Sequence, residues 1–252
     1  MIPTSLLRKL GGGEKKKAPK KEKSKTYMDR IEECDRAGQY ELDMSHLGLN
    51  EFPQECIILP GIHHLKAHGN KFTSIPSLAV FRGLETIDLS RSCITTIGDM
   101  QISQLYNLKS LNLSRNNLKN LPDELARLVA LETLLLDRNE LTTFPAGMHT
   151  MRSLTLLDVS HNLLTDVGQL LDRIPNLETL NLASNPRLDL EKVGTRTRRL
   201  HEKRSLLSSK KSRRAMITRS LNVNRAVLSR EQESIFRAVY EGPAKGEPDE
   251  YP

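Results

Sequence analysis

The sequence predicts an α/β solenoid of about seven coils, each giving one short strand to a parallel concave sheet, with helical caps at the ends. Three observations predict it. An apolar frame recurs every 22 to 24 residues between positions 39 and 191, an acidic body lies between two basic ends, and the apolar residues are aliphatic, with five Tyr, five Phe and no Trp in 252 residues. Self-similarity at this period is the signature of stacked units that cannot bury their faces singly.

Residues 1–25, with GGGEKKKAPKKEKSK, form a basic arm of Gly, Lys and Pro without apolar pattern, expected to be disordered in isolation. Its Lys15, Lys16, Lys17, Lys20 and Lys21 are candidate anion-binding residues. The start lacks the long apolar stretch of a secretory signal. A cytoplasmic or nuclear location is therefore expected. A mitochondrial presequence is a weaker alternative, because no acid precedes Glu14 but the segment is Lys-rich rather than Arg- and Ser-rich.

Residues 26–38 read as an N-terminal capping helix. Thr26 is the N-cap, Asp29 lies in the first turn and Gly38 is the stop, with Met28, Ile31 and Cys34 facing the open first coil.

Residues 39–191 carry the repeats. LKSLNLSRNNLKNLP (108–122), LETLLLDRNELTTFP (131–145), LTLLDVSHNLLTDVG (154–168) and LETLNLASNPRLDLE (177–191) share the frame LxxLxLxxNxLxxL. IHHLKAHGNKFTSIP, LETIDLSRSCITTIG and QYELDMSHLGLNEFP fit it more loosely, and of its apolar slots only Gln39 and Arg187 are not apolar. Leu47 and Ser92 stand where the other copies have Asn. In LxxLxL the leucines point inward and the residues between them outward along a strand, while Asn can bond backbone groups with both ends of its amide where the chain turns away.

This frame resembles the leucine-rich repeat superfamily. Endings such as those at Pro53, Pro76, Pro122 and Pro145 are similar to its short intracellular LxxLPxx class, which includes Ras-pathway scaffolds and plant intracellular Ras-group-related proteins. The resemblance implies a solenoid that binds partners. It leaves the partner open, because members share a scaffold and not a ligand, and a phosphatase or small-GTPase regulator is suggested by class alone.

Residues 192–228 form a basic, partly helical extension with Arg198, Arg199, Lys210, Lys211, Arg213 and Arg214 as further anion-binding candidates. Residues 229–242 read as a C-terminal helix with a capping box from Ser229 to Gln232, expected to cover the last coil or to meet another protein. Residues 243–252 are an acidic tail.

Little chemistry is encoded. No phosphate loop, GxSxG or HExxH occurs, so neither a catalytic site nor a cofactor is expected. Cys34, Cys56 and Cys93 lack CxxC spacing and are expected to be reduced. His64 and His68 are too far apart along a strand to share a metal, and His46 beside His68 lacks the other ligands of a site. No apolar run reaches the length of a membrane span.

The expected function is a non-catalytic scaffold or adaptor that binds a protein on its concave face. The candidate floor includes Asp88, Asn112, Leu135, Asp137, Leu156 and Asp158, with Leu135 and Leu156 as an exposed apolar pair; Arg91, Arg115, Arg138 and His161 line a basic rail beside it. The alternative is a ribonucleoprotein component held by the basic ends. No aromatic lies between Arg196 and Arg230, so any RNA contact there would be to phosphate.

Overall fold

The computed structural model describes residues 26–206, apart from 39, 60, 168 and 169. The basic arm, Lys210, Lys211, Arg213, Arg214, the helix expected at 229–242 and the acidic tail lie outside the described residues.

Helix α1 spans Tyr27–Ala37. Thr26 and Asp29 cap its start reciprocally, and Gly38 ends it in the left-handed region at φ 58°. Ile31 and Cys34 are buried and Tyr27 packs beside them, whereas Met28 is only half-buried. The apolar stripe therefore runs through 27, 31 and 34 and leaves Met28 at its margin. Arg30 fastens α1 to the first strand by donating to the Asp43 carbonyl at 2.9 Å and its carboxylate at 3.1 Å.

Seven strands follow: β1 Glu41–Asp43, β2 His64–Lys66, β3 Thr86–Asp88, β4 Ser110–Asn112, β5 Thr133–Leu135, β6 Leu156–Asp158 and β7 Thr179–Asn181. They pair in parallel in chain order, in one sheet. The register aligns equivalent slots, so Leu42, Leu65, Ile87, Leu111, Leu134, Leu157 and Leu180 form one inward row. All seven are buried. Opposite the sheet the chain returns through tight turns. Pro53, Pro122 and Pro145 each precede a five-residue 3-10 segment, since a fixed φ is suited to the entry of such a turn.

The frame asparagines link successive coils. Asn116 accepts from the Ile94 amide at 3.0 Å and donates to the carbonyls of Leu89 in the preceding coil and Leu113 in its own, at 2.9 and 3.0 Å. Asn70, Asn139, Asn162 and Asn185 repeat the pattern. Leu47 occupies the slot in the first coil, which has no preceding coil to bond. Ser92 is too short to reproduce it, and its buried hydroxyl oxygen has no hydrogen-bond partner.

The last coil departs from the frame at its end. Leu188 packs against the core in place of the slot held by Arg187, and Leu190 is 40% exposed. Here the chain has already turned toward helix α2, Thr195–Leu206. Helix α2 packs against β7 and the preceding turn, so it covers the end expected for residues 229–242. Asp172 caps it from the previous coil by accepting from the amides of Arg196 at 3.3 Å and Thr197 at 2.7 Å. Partial burial alone would raise the Asp172 carboxyl, but these bonds and the Thr197 hydroxyl hold it below the ordinary range. Gly194 lies so close to that carboxylate that any Cβ would collide with it. The Arg196 guanidinium donates to four carbonyls, of Asp172, Ile174, Pro175 and Leu177.

Candidate functional site

Three columns of side chains project from the concave face. The first runs Glu41, His64, Thr86, Ser110, Thr133, Leu156, Thr179 and the second Asp43, Lys66, Asp88, Asn112, Leu135, Asp158, Asn181. The third follows the strands, from Ser45 through His68, Ser90, Ser114, Asp137 and Ser160 to Ala183.

The two halves of this face differ. Across β1 to β3 the charged side chains stand half-exposed. Lys66 donates to Glu41 at 2.6 Å, His64 Nδ1 lies 2.9 Å from the Thr86 hydroxyl and His68 Nδ1 lies 3.6 Å from Asp88. The rings of His46 and His68 meet edge to face with centroids 4.8 Å apart. Burial lowers the basicity of His64 and His68, against the pull of neighbouring carboxylates. An open groove of about 940 Å³ runs between this patch and α1, lined by Arg30, Glu33, Cys34, Tyr40, Glu41, Asp43 and His64 among others. Among the described residues no cluster of three His, Cys, Asp or Glu could hold a metal ion.

Across β4 to β7 the second column is closed, while Thr133, Asp137 and Thr179 beside it stay half-buried. Asn112, Leu135 and Asp158 are each 2% exposed and Leu156 is 7% exposed. This corrects the expectation of an exposed Leu135–Leu156 pair. Neighbouring strands lie about 4.8 Å apart, and on a concave surface side chains of similar length roof one another, so an outward slot is not thereby an accessible one.

The polar residues of the second column have a structural task. The side chains of Asp43, Asp88, Asn112, Asp158 and Asn181 each accept from the backbone N–H two residues on, at 2.8 to 3.2 Å, which turns the chain out of the strand. Asp158 also accepts from the Ser160 hydroxyl at 2.7 Å and from the Asn181 amide at 2.7 and 2.9 Å. Asn112 and Asp158 therefore build the face first and present little to a ligand, whereas Asp88 turns the chain and stays partly exposed.

The rail lies where this turn ends. Its slot has positive φ in every coil: His46, Gly69, Arg91, Arg115, Arg138, His161 and Ser184 all fall between 54° and 68°. Asp137 is half-buried beside it. Burial pushes its carboxyl up, the Ser114 hydroxyl opposes that, nearby Asp158 reinforces it, and Arg115 and Arg138 pull it down. At the far end, Arg198 donates to the carbonyls of Leu190 and Glu191 at 3.1 and 2.5 Å. Arg199 is exposed. The alternation of a strand located the columns; nothing in a single repeat reveals the left-handed slot, although Gly69 standing in it was a signal.

Comparison with known proteins agrees with this geometry. Residues 82–141 match the family model described as Leucine rich repeat, and residues 152–193 match that described as Leucine Rich repeats (2 copies). The leucine-rich repeat domain of the type III effector XopL is 24% identical with a TM-score of 0.58, over 64% of this chain and 57% of that one. The ectodomain of the plant membrane receptor kinase GASSHO1/SCHENGEN3 from Arabidopsis thaliana, solved with CASPARIAN STRIP INTEGRITY FACTOR 2, is 23% identical with a TM-score of 0.50, over 59% of this chain and 23% of that one. The chain thus spans less than two thirds of either. No curated protein matches. The fold is a leucine-rich repeat solenoid, a class whose domains generally mediate protein–protein interaction.

Proposed function

We propose that this chain is a non-catalytic scaffold or adaptor of the short intracellular repeat class, acting in the cytoplasm or nucleus, that holds a protein partner on the concave side of its repeats. The observation that carries the reading is the half-exposed charged patch of Glu41, His64, Lys66 and His68 beside an open groove, on a sheet whose middle column is buried from Asn112 to Asn181. Concave faces of solenoids are extended binding surfaces. A solved array of this fold, the GASSHO1 ectodomain, is in complex with another polypeptide. Three free thiols, Cys34, Cys56 and Cys93, fit a reducing compartment.

The test is affinity capture with the tagged full chain, with and without nuclease, comparing the parent with Lys66→Glu on the concave patch and Lys119→Glu away from it. A protein retained after nuclease, lost with Lys66→Glu and kept with Lys119→Glu supports the reading. Capture that both variants leave intact, or that nuclease abolishes, overturns it in favour of the basic ends.

A further inference from the structure

We infer that the small pocket at the C-terminal end of α1 is a docking site for a peptide segment of another protein, one that inserts a large apolar side chain and carries a lysine or arginine next to it. This rests on the concave-side reading and gives that partner its anchor. The pocket follows from how the array begins. Farther along, the return turns of successive coils pack on one another, but the first coil has only the eleven-residue helix α1 on its outer side. Helix α1 covers the core with Ile31 and Cys34, then stops at Gly38, where a left-handed backbone swings the chain toward β1. A space of about 190 Å³ remains between its last turn and the first return turn, walled by Cys34, Tyr40, Ile58, Leu59 and Ile62. Sites for whole small molecules are about 300–1,000 Å³, so this one fits a single large side chain.

The lip of the pocket is apolar and uncovered. Tyr40 is 65% exposed, its ring tilted on that of His63 with centroids 5.0 Å apart, and Ile57 beside Ile58 is 59% exposed. Side chains that enter such a space and shed their water carry much of the energy of an interface. Charge selects the neighbour of the anchor. Asp35 stands exposed at the pocket, while the two arginines of α1 are turned elsewhere, Arg30 to Asp43 at 3.1 Å and Arg36 to Glu32 at 3.7 Å. Lys66 in turn offsets Glu41 at 2.6 Å. These pairs cancel, so Asp35 sets the sign and favours a cation. The pocket meets the wider groove at Cys34, Gly38 and Tyr40, so a chain seated by its anchor continues into that groove beside Glu41 and His64.

Gly61 supplies the test. A Cβ added there meets nothing within 4 Å, so Gly61→Leu puts a side chain into open space at the pocket. Gly98, where an added Cβ meets only the Thr96 hydroxyl at 3.6 Å, is the control away from it. Anisotropy of a fluorescein-labelled peptide, Gly-Ser-Gly-Leu-Lys-Gly-Ser-Gly, is measured with the full chain at near-physiological ionic strength, where charges more than about 8 Å apart are screened. Gly61→Leu should weaken binding about tenfold, the worth of one buried leucine side chain, and alanine in place of the leucine of the probe should weaken it as much. Asp35→Asn should weaken it about threefold, on the scale of one exposed charge pair, and Gly98→Leu should leave it within about twofold. No binding by the parent, or equal binding of the leucine and alanine probes, overturns the inference, and the second comparison stands whether or not Gly61→Leu folds. Binding that appears only after Leu6, Leu7 and Leu10 are changed to Ser overturns it as well, because the chain's own LLRKL would then hold the pocket. A cellular partner lost with Lys66→Glu but retained with Gly61→Leu would leave the concave adaptor reading standing and remove this one alone.

Discussion

The first three coils and the last four follow one frame, yet their concave faces differ in kind. In the first three, long side chains such as Glu41, His64 and Lys66 stand half-exposed, Lys66 pairing with Glu41 and His64 meeting the Thr86 hydroxyl across the strands. In the last four, Ser110, Asn112, Leu135, Leu156 and Asp158 are buried by their neighbours. The difference teaches that an outward slot on a curved sheet becomes surface or core according to the reach of its side chain. Substitutions should therefore separate the halves by energy.

The largest contrast is at Leu135. Leu135→Asp places an uncompensated charge at a buried site and should cost about 4 kcal/mol, on the scale of breaking a buried pair. Chemical denaturation should show the array losing its cooperative transition, because coils stabilise one another through their interfaces; a melt close to that of the parent would mean Leu135 is accessible and the two halves are alike.

Next comes the cap that protects the closed half. Asp172→Ala removes the acceptor for the Arg196 and Thr197 amides and should cost about 2 kcal/mol, as for the loss of a strong helix cap. Amide exchange should accelerate first in helix α2 and β7, which pack together, and leave β1 to β3 protected.

At the seam between the halves, Ser92→Asn should stabilise the chain by about 1 kcal/mol by restoring the hydrogen bonds the other coils make. A rise in the denaturation midpoint without a change in slope is the expected result. On the open side, Lys66→Ala removes a partly exposed ion pair and should cost only about 0.5 kcal/mol.

Acidity sharpens the comparison through signs. His64 and His68 are held below their ordinary value of 6.5, first by burial, so the unfolded chain binds their protons more readily. Stability from the open half is present at neutral pH and is lost as pH falls below 6.5 toward their folded values. Asp137 is held above its ordinary 3.8 by burial, so the folded chain protonates first and stability is gained as pH falls through that higher range. His68→Gln should flatten the acid loss seen in urea titrations near neutrality, and Asp137→Asn should leave that loss unchanged and remove the opposing gain.

Much of the fold was legible from spacing alone. The slots of the repeat placed all seven strands, because a period of about 23 residues forces equivalent residues into register. Thr26, Asp29 and Gly38 marked the first helix, because capping chemistry is local. The candidate site was half legible. Alternation assigned Asp88, Leu135 and Asp158 to the concave side, but not that Asp88 and Asp158 turn the chain or that Leu135 is covered.

What the sequence determined by itself, then, is whatever lies within one repeat: which residues face inward, where Asn bonds the turn, and that the array closes on aliphatic side chains. Tertiary structure alone decided what depends on two coils at once. Asp172 caps a helix more than twenty residues ahead, Leu188 displaces the expected slot of the last coil, and three arginines from separate coils align on one edge at positive φ. Each depends on how one coil is placed against another, and a local pattern carries no record of how closely the neighbouring coil approaches.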